Sequence, residues 1–433
     1  MKIFSSILLG VGISFISITT AFAGEWKQDK IGWWYDNGNG TYPNSGWEWI
    51  DGNKDSYAEC YYFGKNGYMF SNTYVEGFKL NADGAWVDSS GNVQRKQVSH
   101  EKDNNSDNNS DSKKGLAVTE LSNNHGKELG VKHIIWNNPV NLDYSEQFQK
   151  SKDDGFTNTV IILNPWQTTN PLLLPVTNKQ EGAVFYGFNT STEESKKAVR
   201  EVARKFARNY SKSVSNWIIG NEINEGNTWN FLPNREINAY TTQYAESFRI
   251  WYEEIKAAKP NANVYIPFDY RWNWYSDQGY GAFQASQMIP ILNQTLKDTY
   301  YGIAWHAYPE DLVDPDFTND ISAKDSVSPP IINMKNINAL TNFMQQQDYL
   351  APNGTVRSVI LSEQGFNATT DEKQAQMIET AYNIAKENPY IDIFFLSREN
   401  DLGEMHLGQE MKFGIIDRNG NKRASFETYK NLK

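Results

Sequence analysis

From about residue 115 to the C-terminus, short apolar runs alternate with segments of helical period, and no other feature of the chain restricts its fold so tightly. The runs are Val131–Trp136, Thr159–Leu163, Ala183–Tyr186, Trp217–Gly220, Asn263–Ile266, Gly302–Trp305, Ser358–Leu361 and Asp392–Leu396. Strands that helices cover on both faces read as continuous apolar stretches, as these do. Of the intervening segments, one carries Val199, Val202, Ala203, Phe206, Ala207 and Tyr210 at helix-face spacing, and Ser191-Thr192-Glu193-Glu194 is expected to open it as a capping box. Another carries Ile237, Tyr240, Tyr244, Phe248, Trp251 and Ile255 and stops at Lys259-Pro260. Eight strands alternating with helices predict an α/β fold, a (β/α)8 TIM barrel over 115–433. An open doubly wound sheet is the alternative, but no Gly-rich phosphate loop follows the first run.

In such a barrel the C-terminal strand ends form one mouth, where chemistry concentrates. Here those ends are polar and aromatic. They supply Trp136, Asn164, Trp166, Asn221, Asp269, Arg271, His306 and Tyr308, with Trp229 in the loop after the fourth run. Aromatic faces stack on sugar rings, and amides and carboxylates hydrogen-bond sugar hydroxyls. The fourth run ends in Asn221-Glu222 and the seventh in Glu363-Gln364. A lone Asn-Glu after an apolar run is usually a helix start or a loop contact. Two glutamates closing the fourth and seventh strands instead match the acid/base and nucleophile of a retaining glycosidase, whose carboxyl groups sit roughly 5–5.5 Å apart. One of the two must then keep a proton while the other is ionised, and the charge of the ionised one is expected to raise the pKa of its partner.

With these residues in hand, the region from about 115 to 433 resembles clan A of the glycoside hydrolases. In that clan an Asn-Glu pair ends the fourth strand and a Glu ends the seventh. The resemblance implies that Glu222 is the acid/base and Glu363 the nucleophile, that Asn221 binds the hydroxyl beside the anomeric carbon, and that His306 and Tyr308 hold sixth-strand positions near the nucleophile. Tyr186-Gly187-Phe188-Asn189, Trp217–Glu222 and Ile360–Phe366 resemble, within it, a branch known only as a domain of unknown function. Two departures stand out. The strand read as second ends in Asn164 and Trp166, without the arginine many clan members carry there, which Arg271 or Arg398 would have to replace. The eighth run ends Leu396-Ser397, without the usual sugar-stacking tryptophan.

The N-terminal quarter is of another kind. Met1-Lys2 precedes an apolar run ending at Ala21-Phe22-Ala23, which reads as a signal peptide (1–23), an uncleaved anchor being the alternative. Residues 24–98 hold 16 aromatics, a density above the 14% of the whole chain, between turn signals at Asp51-Gly52, Asn66-Gly67 and Asp83-Gly84. Such a stack of short hairpins buries a core only by lying repeat on repeat. It resembles the choline-binding and related cell-wall-binding repeats, which implies that Trp33, Trp34, Trp47, Trp49, Tyr61 and Tyr62 are candidates for holding a quaternary ammonium group by cation–π attraction. The alternative is that they only glue hairpins together. Residues 99–114 contain no apolar side chain and read as a disordered tether of about 20–25 Å.

A formal charge of −11 argues against nucleic acid as a partner, and the single cysteine, Cys60, excludes an intrachain disulfide and a cysteine metal cluster. Neither metal nor cofactor is implied. Asp314–Asp320 lacks the glycine and glutamate of a calcium loop and is expected to be a solvated loop. The insertions Pro171–Lys179 and Pro309–Asn333 are expected to shape the cleft. The expectation is a secreted, monomeric β-glycosidase of a Gram-positive-type bacterium, held to a cell-wall polymer by its repeats and free of the membrane after cleavage. A carbohydrate-binding protein without turnover and a transglycosidase are the alternatives.

Overall fold

The computed structural model describes residues 24–37, 41–52, 57–75, 77–88, 91–97, 112–118, 125–168, 170–274, 282–326 and 328–433. The signal-peptide reading, and residues 99–111 of the expected tether, lie outside them. The chain divides into two compact units, 1–108 and 109–433. Among the described residues no helix is long and apolar enough to cross a membrane.

In the first unit, β1 (Glu25–Gln28) and β2 (Trp33–Asp36) form one antiparallel hairpin. Strands β3 (Gly46–Ile50), β4 (Tyr57–Phe63) and β8 (Arg95–Gln97) form a three-stranded sheet, and β5 (Tyr74–Val75), β6 (Phe78–Leu80) and β7 (Trp86–Val87) form another. Gly67 and Gly84, at the tips of two signalled turns, have φ of 78° and 83°, a left-handed conformation glycine adopts without steric cost. Cys60 is buried in β4, and burial pushes its thiol up to about 11, so it is not a reactive nucleophile.

The second unit is a closed parallel barrel. Its strands are β9 (Lys114–Ala117), β10 (His133–Pro139), β11 (Thr157–Leu163), β12 (Val214–Ile219), β13 (Asn263–Phe268), β14 (Tyr301–His306), β15 (Val359–Gln364) and β16 (Ile391–Leu396), and β16 pairs back onto β9. Each is followed by a helix: α1 (Gly126–Leu129), α2 (Ser145–Asp153), α3 (Glu193–Tyr210), α4 (Ile237–Ala258), α5 (Ala285–Leu296), α6 (Asn338–Met344), α7 (Asp371–Glu387) and α8 (Ala424–Asn431). Alternation along the strands sends Ile135, Ile161, Ile218, Tyr265, Ala304, Ile360 and Ile393 into the barrel interior. Their neighbours Ile134, Val160, Trp217, Val264, Ile303, Leu361 and Phe394 pack outward under the helices.

Two sequence expectations are corrected here. Ala183–Tyr186 is not a barrel strand; it lies in the loop after β11, held by isolated bridges of Phe185 to Pro165 and Tyr186 to Phe231. The first strand is instead Lys114–Ala117, placed partly in the expected tether because its start looked polar. Lys114 is 2% exposed, and its Nζ donates to the carbonyls of Tyr429, Lys430 and Leu432 at 2.9, 3.2 and 2.9 Å, so the polar residue is structural. The two corrections cancel in the count, and the fourth to eighth strands keep their places. The α3 cap also differs by one residue: Thr192 and Ser195 form the capping box. Asp314–Asp320 is not simply solvated. Phe317 is buried, Asp316 pairs with Lys373, and Asp320, raised by burial to about 6, accepts from the Glu310 amide.

Lys114 gives a test. Burial lowers its pKa from 10.5 to about 8. Between those pH values the unfolded chain keeps a proton that the folded chain has released, so stability rises with pH across this window, by at most about 3 kcal/mol. Denaturant unfolding should show wild type gaining on Lys114→Met from pH 8 to 10.5, with a flat difference below pH 8.

Candidate active site

Glu222 is set by the turn that ends β12. Gly220 takes φ 86°, and a Cβ there would come 2.9 Å from Asn230 Oδ1. Glu222 itself has φ 36°, an unfavourable conformation for a residue with a side chain, and such residues persist where the surroundings hold them. The holders are the Glu225 amide on the Glu222 carbonyl at 2.7 Å, the Ile223 amide on the Pro267 carbonyl at 3.1 Å, and the Tyr240 hydroxyl on the Ile223 carbonyl at 2.9 Å.

Glu363 is set by an irregularity in β15. Ile303, Ala304 and Trp305 pair with Val359, Ile360 and Leu361 in step, but His306 pairs with Glu363. Ser362 is therefore an extra residue, and simple alternation would have sent Glu363 outward with Leu361. The bulge re-aims it beside His306, on the interior side of the barrel.

His306 has no exposure to solvent, and its Nδ1 lies 2.8 Å from Glu222 Oε1 and 3.6 Å from Glu363 Oε2. The first is a hydrogen bond, in which the hydrogen sits on Nδ1 or on the carboxyl according to the tautomer, and the second is a longer charge contact. These two oxygens are therefore no more than about 6.4 Å apart, which brings the two carboxyl groups to one side of the barrel mouth. The Tyr308 hydroxyl donates to Glu363 Oε1 at 2.8 Å. Burial and the Glu363 charge hold the Tyr308 phenol well above its usual pKa, so it remains a donor.

Burial raises the Glu222 pKa, with the charges of Asp269 and Glu363 adding to it and His306 opposing. Burial disfavours the His306 imidazolium, but the Glu222 hydrogen bond and the charges of Glu363, Glu222 and Asp269 outweigh it and raise its pKa. Both shifts favour the protonated form, so each group holds a proton more tightly than the free side chain does. Glu222 and Glu363 keep 14% and 26% of side-chain exposure, so both remain accessible from the mouth.

The other expected residues divide. Asp269, 2% exposed, accepts from the Asn224 side chain and from the Arg271 amide at 2.9 Å, and its own amide donates to Asn224 Oδ1 at 2.9 Å. Arg271 pairs with Asp269 and, at 2.8 Å, with Glu225. Both thus stand beside Glu222 as support. Asn221 is half-buried next to it. Trp166 packs against Tyr186 and Trp229 against Phe185, both half-buried. Asn164 and Trp136 do not reach the mouth. Asn164, 1% exposed, donates to the Leu173 and Gly187 carbonyls and fixes the loop after β11. Trp136, 3% exposed, points outward under α2, where Nε1 donates to Asn158. The β10 residue that shares the interior side with Ile135 and is exposed at the C-terminal end is Asn137. It occupies the true second-strand end, and it is no arginine either. Asn224, Glu225, Asn137 and Tyr270 complete the surroundings that sequence reasoning left unassigned. Their only signal was polarity near a strand end, within two residues for Asn137 and Tyr270 but five and six beyond β12 for Asn224 and Glu225.

In the first unit the six aromatic candidates do not form one group. Trp47 meets Tyr62, Phe78 and Trp86 with ring centroids 5.3, 5.7 and 6.3 Å away, and Trp49 lies 6.3 Å from Trp86. Tyr61 points the other way along β4, against Trp26 at 4.8 Å. Trp34 sits under Lys27, and Trp33 is exposed.

With this geometry in place, the comparisons bear on identity. The profile of a family of unknown function (DUF5722) matches residues 137–433. The chain belongs to that family. The match starts within β10 and omits β9. No curated protein matches the chain. A family 39 glycoside hydrolase from the gut symbiont Bacteroides cellulosilyticus WH2 aligns with a TM-score of 0.52 at 14% identity, over 87% of this chain and 70% of that one. A family 1 β-glucosidase from Thermotoga maritima gives 0.46 at 12% identity, over 71% and 84%. A β-D-glucuronidase from Dictyoglomus thermophilum gives 0.43 at 14%, over 74% and 50%. At these identities the likeness to the first is one of fold, the eight-stranded parallel barrel.

The turn at Gly220 is testable by stability. Gly220→Ala should cost about 2–3 kcal/mol in urea unfolding, because the left-handed φ and the Asn230 contact both oppose a Cβ. Gly155→Ala, at φ 94° with nothing within 4 Å of the added carbon, should cost only about 1 kcal/mol. Equal losses would show that the Asn230 contact contributes nothing.

Proposed function

We propose that this member of the family is a glycoside hydrolase that cleaves a β-linked oligo- or polysaccharide with retention at the anomeric carbon. The observation that carries the reading is the single imidazole nitrogen shared by Glu222 and Glu363, which keeps two carboxyl groups within the reach of a double displacement. Glu363 attacks the anomeric carbon while Glu222 gives its proton to the leaving oxygen. Water then attacks the glycosyl–enzyme ester, and Glu222 takes the proton back. Between the two steps Glu222 is a carboxylate, and His306, 2.8 Å away, holds it in place to take the proton of the attacking water. Tyr308 fixes the rotamer of Glu363 by its hydrogen bond. Asn221 is proposed to bind the hydroxyl next to the reacting carbon, and Trp166 and Trp229 to line the sugar path.

The rest of the proposal concerns placement. The apolar N-terminal run supports export, and the aromatic hairpins support attachment to a cell-wall polymer, with Trp33, Trp34, Trp47, Trp49, Tyr61 and Tyr62 as candidate contacts. A second reading, carbohydrate binding without turnover, is favoured by one observation: β16 ends Leu396-Ser397, with no aromatic face for a sugar at that strand end.

An activity-based cyclophellitol or 2-deoxy-2-fluoroglycoside probe separates the two readings. Wild type should gain one covalent adduct, mapped by peptide mass spectrometry to Glu363. Glu363→Gln should gain none and lose at least about 10³-fold in kcat on any aryl glycoside that wild type hydrolyses. An unlabelled wild type that still binds sugar would establish the second reading.

A further inference from the structure

The segment Ala183–Tyr186 is apolar without being a barrel strand, and the proposed reaction leaves it without a task. It is held firmly. The Val184 and Phe185 amides donate to the Thr228 carbonyl at 2.8 and 3.1 Å, the Tyr186 amide to the Asn164 carbonyl at 2.9 Å, and the Phe231 amide to the Phe185 carbonyl at 2.9 Å. The loop after β11 is thereby laced to the loop after β12, the one that carries Asn221 and Glu222.

Successive side chains in bridged, extended backbone point to opposite sides. Tyr186, 2% exposed, turns under the loop against Leu174, Ala183 and Phe231. Phe185 turns the other way, is bridged to Pro165 just beyond β11, and packs on the interior set of the barrel at the end where the two glutamates stand. It is only half-buried there. Its ring centroid lies 6.1 Å from that of Trp229, also half-buried, with the planes inclined by 35°. Trp229 belongs to the turn that sets Glu222: its amide donates to the Glu225 carbonyl at 3.1 Å, and the Glu225 amide donates to the Glu222 carbonyl at 2.7 Å. Among the described residues, the ends of β16, β9 and β10 carry no such open ring; Ser397, Val118 and Asn137 stand there.

We infer that Phe185, with Trp229 beside it, is the platform on which a pyranose ring of the substrate lies, so that the apolar face for the sugar stands on the β11–β12 side of the mouth and not at the end of β16. A side chain that only plugged the top of the barrel could be any apolar group of that size. A ring left partly open beside the acidic pair offers more. A pyranose with equatorial hydroxyls turns C–H bonds to its two faces, and laying one face on a flat ring takes apolar surface of both partners out of water. The ligand class is a saccharide with such a face. The inference rests on the glycosidase reading in taking the ligand to be a sugar; the position of the platform rests on packing alone.

Binding is therefore measured where hydrolysis is blocked, in the full chain carrying Glu363→Gln and labelled with 5-fluorotryptophan. The Trp229 signal in 19F NMR is assigned by its loss in Trp229→Phe, and cello-, xylo-, manno- and laminaritetraose are titrated in turn. At least one tetraose should shift that signal saturably. Adding Phe185→Leu, which keeps the packing on the barrel interior but has no flat face, should weaken that binding roughly five- to tenfold. Phe185→Tyr should bind as the parent does, and Val184→Ala, at an exposed neighbour, should change the affinity by less than about twofold. No saturable shift from any tetraose, equal affinity in the parent and in Phe185→Leu, or an equal loss in Phe185→Tyr overturns the inference. If Phe185→Leu does not fold, Phe185→Met takes its place. Covalent labelling of wild type at Glu363 alongside any of those results would leave the glycosidase reading standing without this platform. Absence of labelling with the Phe185-dependent shift present would remove that reading and keep the platform as a sugar site.

Discussion

An imidazole buried beyond the reach of water must find its polar partners in the protein, and His306 finds two carboxylates at one nitrogen. Glu222 satisfies that nitrogen by a hydrogen bond, and Glu363 stands 3.6 Å from it, so the buried ring at the end of β14 is the point about which the acidic pair is arranged. Burial and the neighbouring anions raise the Glu222 pKa, and the imidazole beside it works against that rise.

Everything around this bridge reads as a means of holding it. The left-handed Gly220 and Glu222 bring one carboxylate in from β12. The extra residue Ser362 turns the other inward from β15. Asn224, Asp269, Arg271 and Glu225 form a tight set beside Glu222, whereas Tyr308, Phe413 and Ser397 gather beside Glu363. The two carboxylates thus sit in different surroundings, one beside a buried cluster of paired charges and one beside a tyrosine and an aromatic wall. Different surroundings are what separate the roles of two chemically identical groups.

Much of this was legible in the chain, and the failures have physical causes. Buried parallel strands are apolar on both faces, so Thr159–Leu163, Trp217–Gly220 and Asp392–Leu396 announced themselves, and the residues that follow them marked the mouth. Lys114–Ala117 did not, since a lysine satisfied by three carbonyls looks identical in sequence to one in a polar tract. Ala183–Tyr186 is apolar because it packs a loop with Phe231 and Leu174, and composition does not distinguish that from a strand. The glutamates were found from their positions, but the bulge that aims Glu363 leaves no mark in composition. Trp136 was misplaced by the same limit: which of two neighbouring residues faces inward depends on register, and Asn137 has the inward one.

The closure of the barrel has a consequence for how the chain is made. β9, the earliest barrel strand to be synthesised, must wait for β16 before its second edge is covered, and Lys114 finds its three carbonyl acceptors only in the last turn of α8 and the residue beyond it. Until those final residues exist, the growing chain carries an open edge of parallel sheet and a cation with nothing to bind. Contacts so distant in sequence form slowly, and an unpaired strand edge is the part of a folding intermediate most prone to pair with the wrong neighbour. The assembly is thus all but committed at its end, and loss of even a few C-terminal residues would act on the opposite end of the barrel sequence, at the strand laid down first.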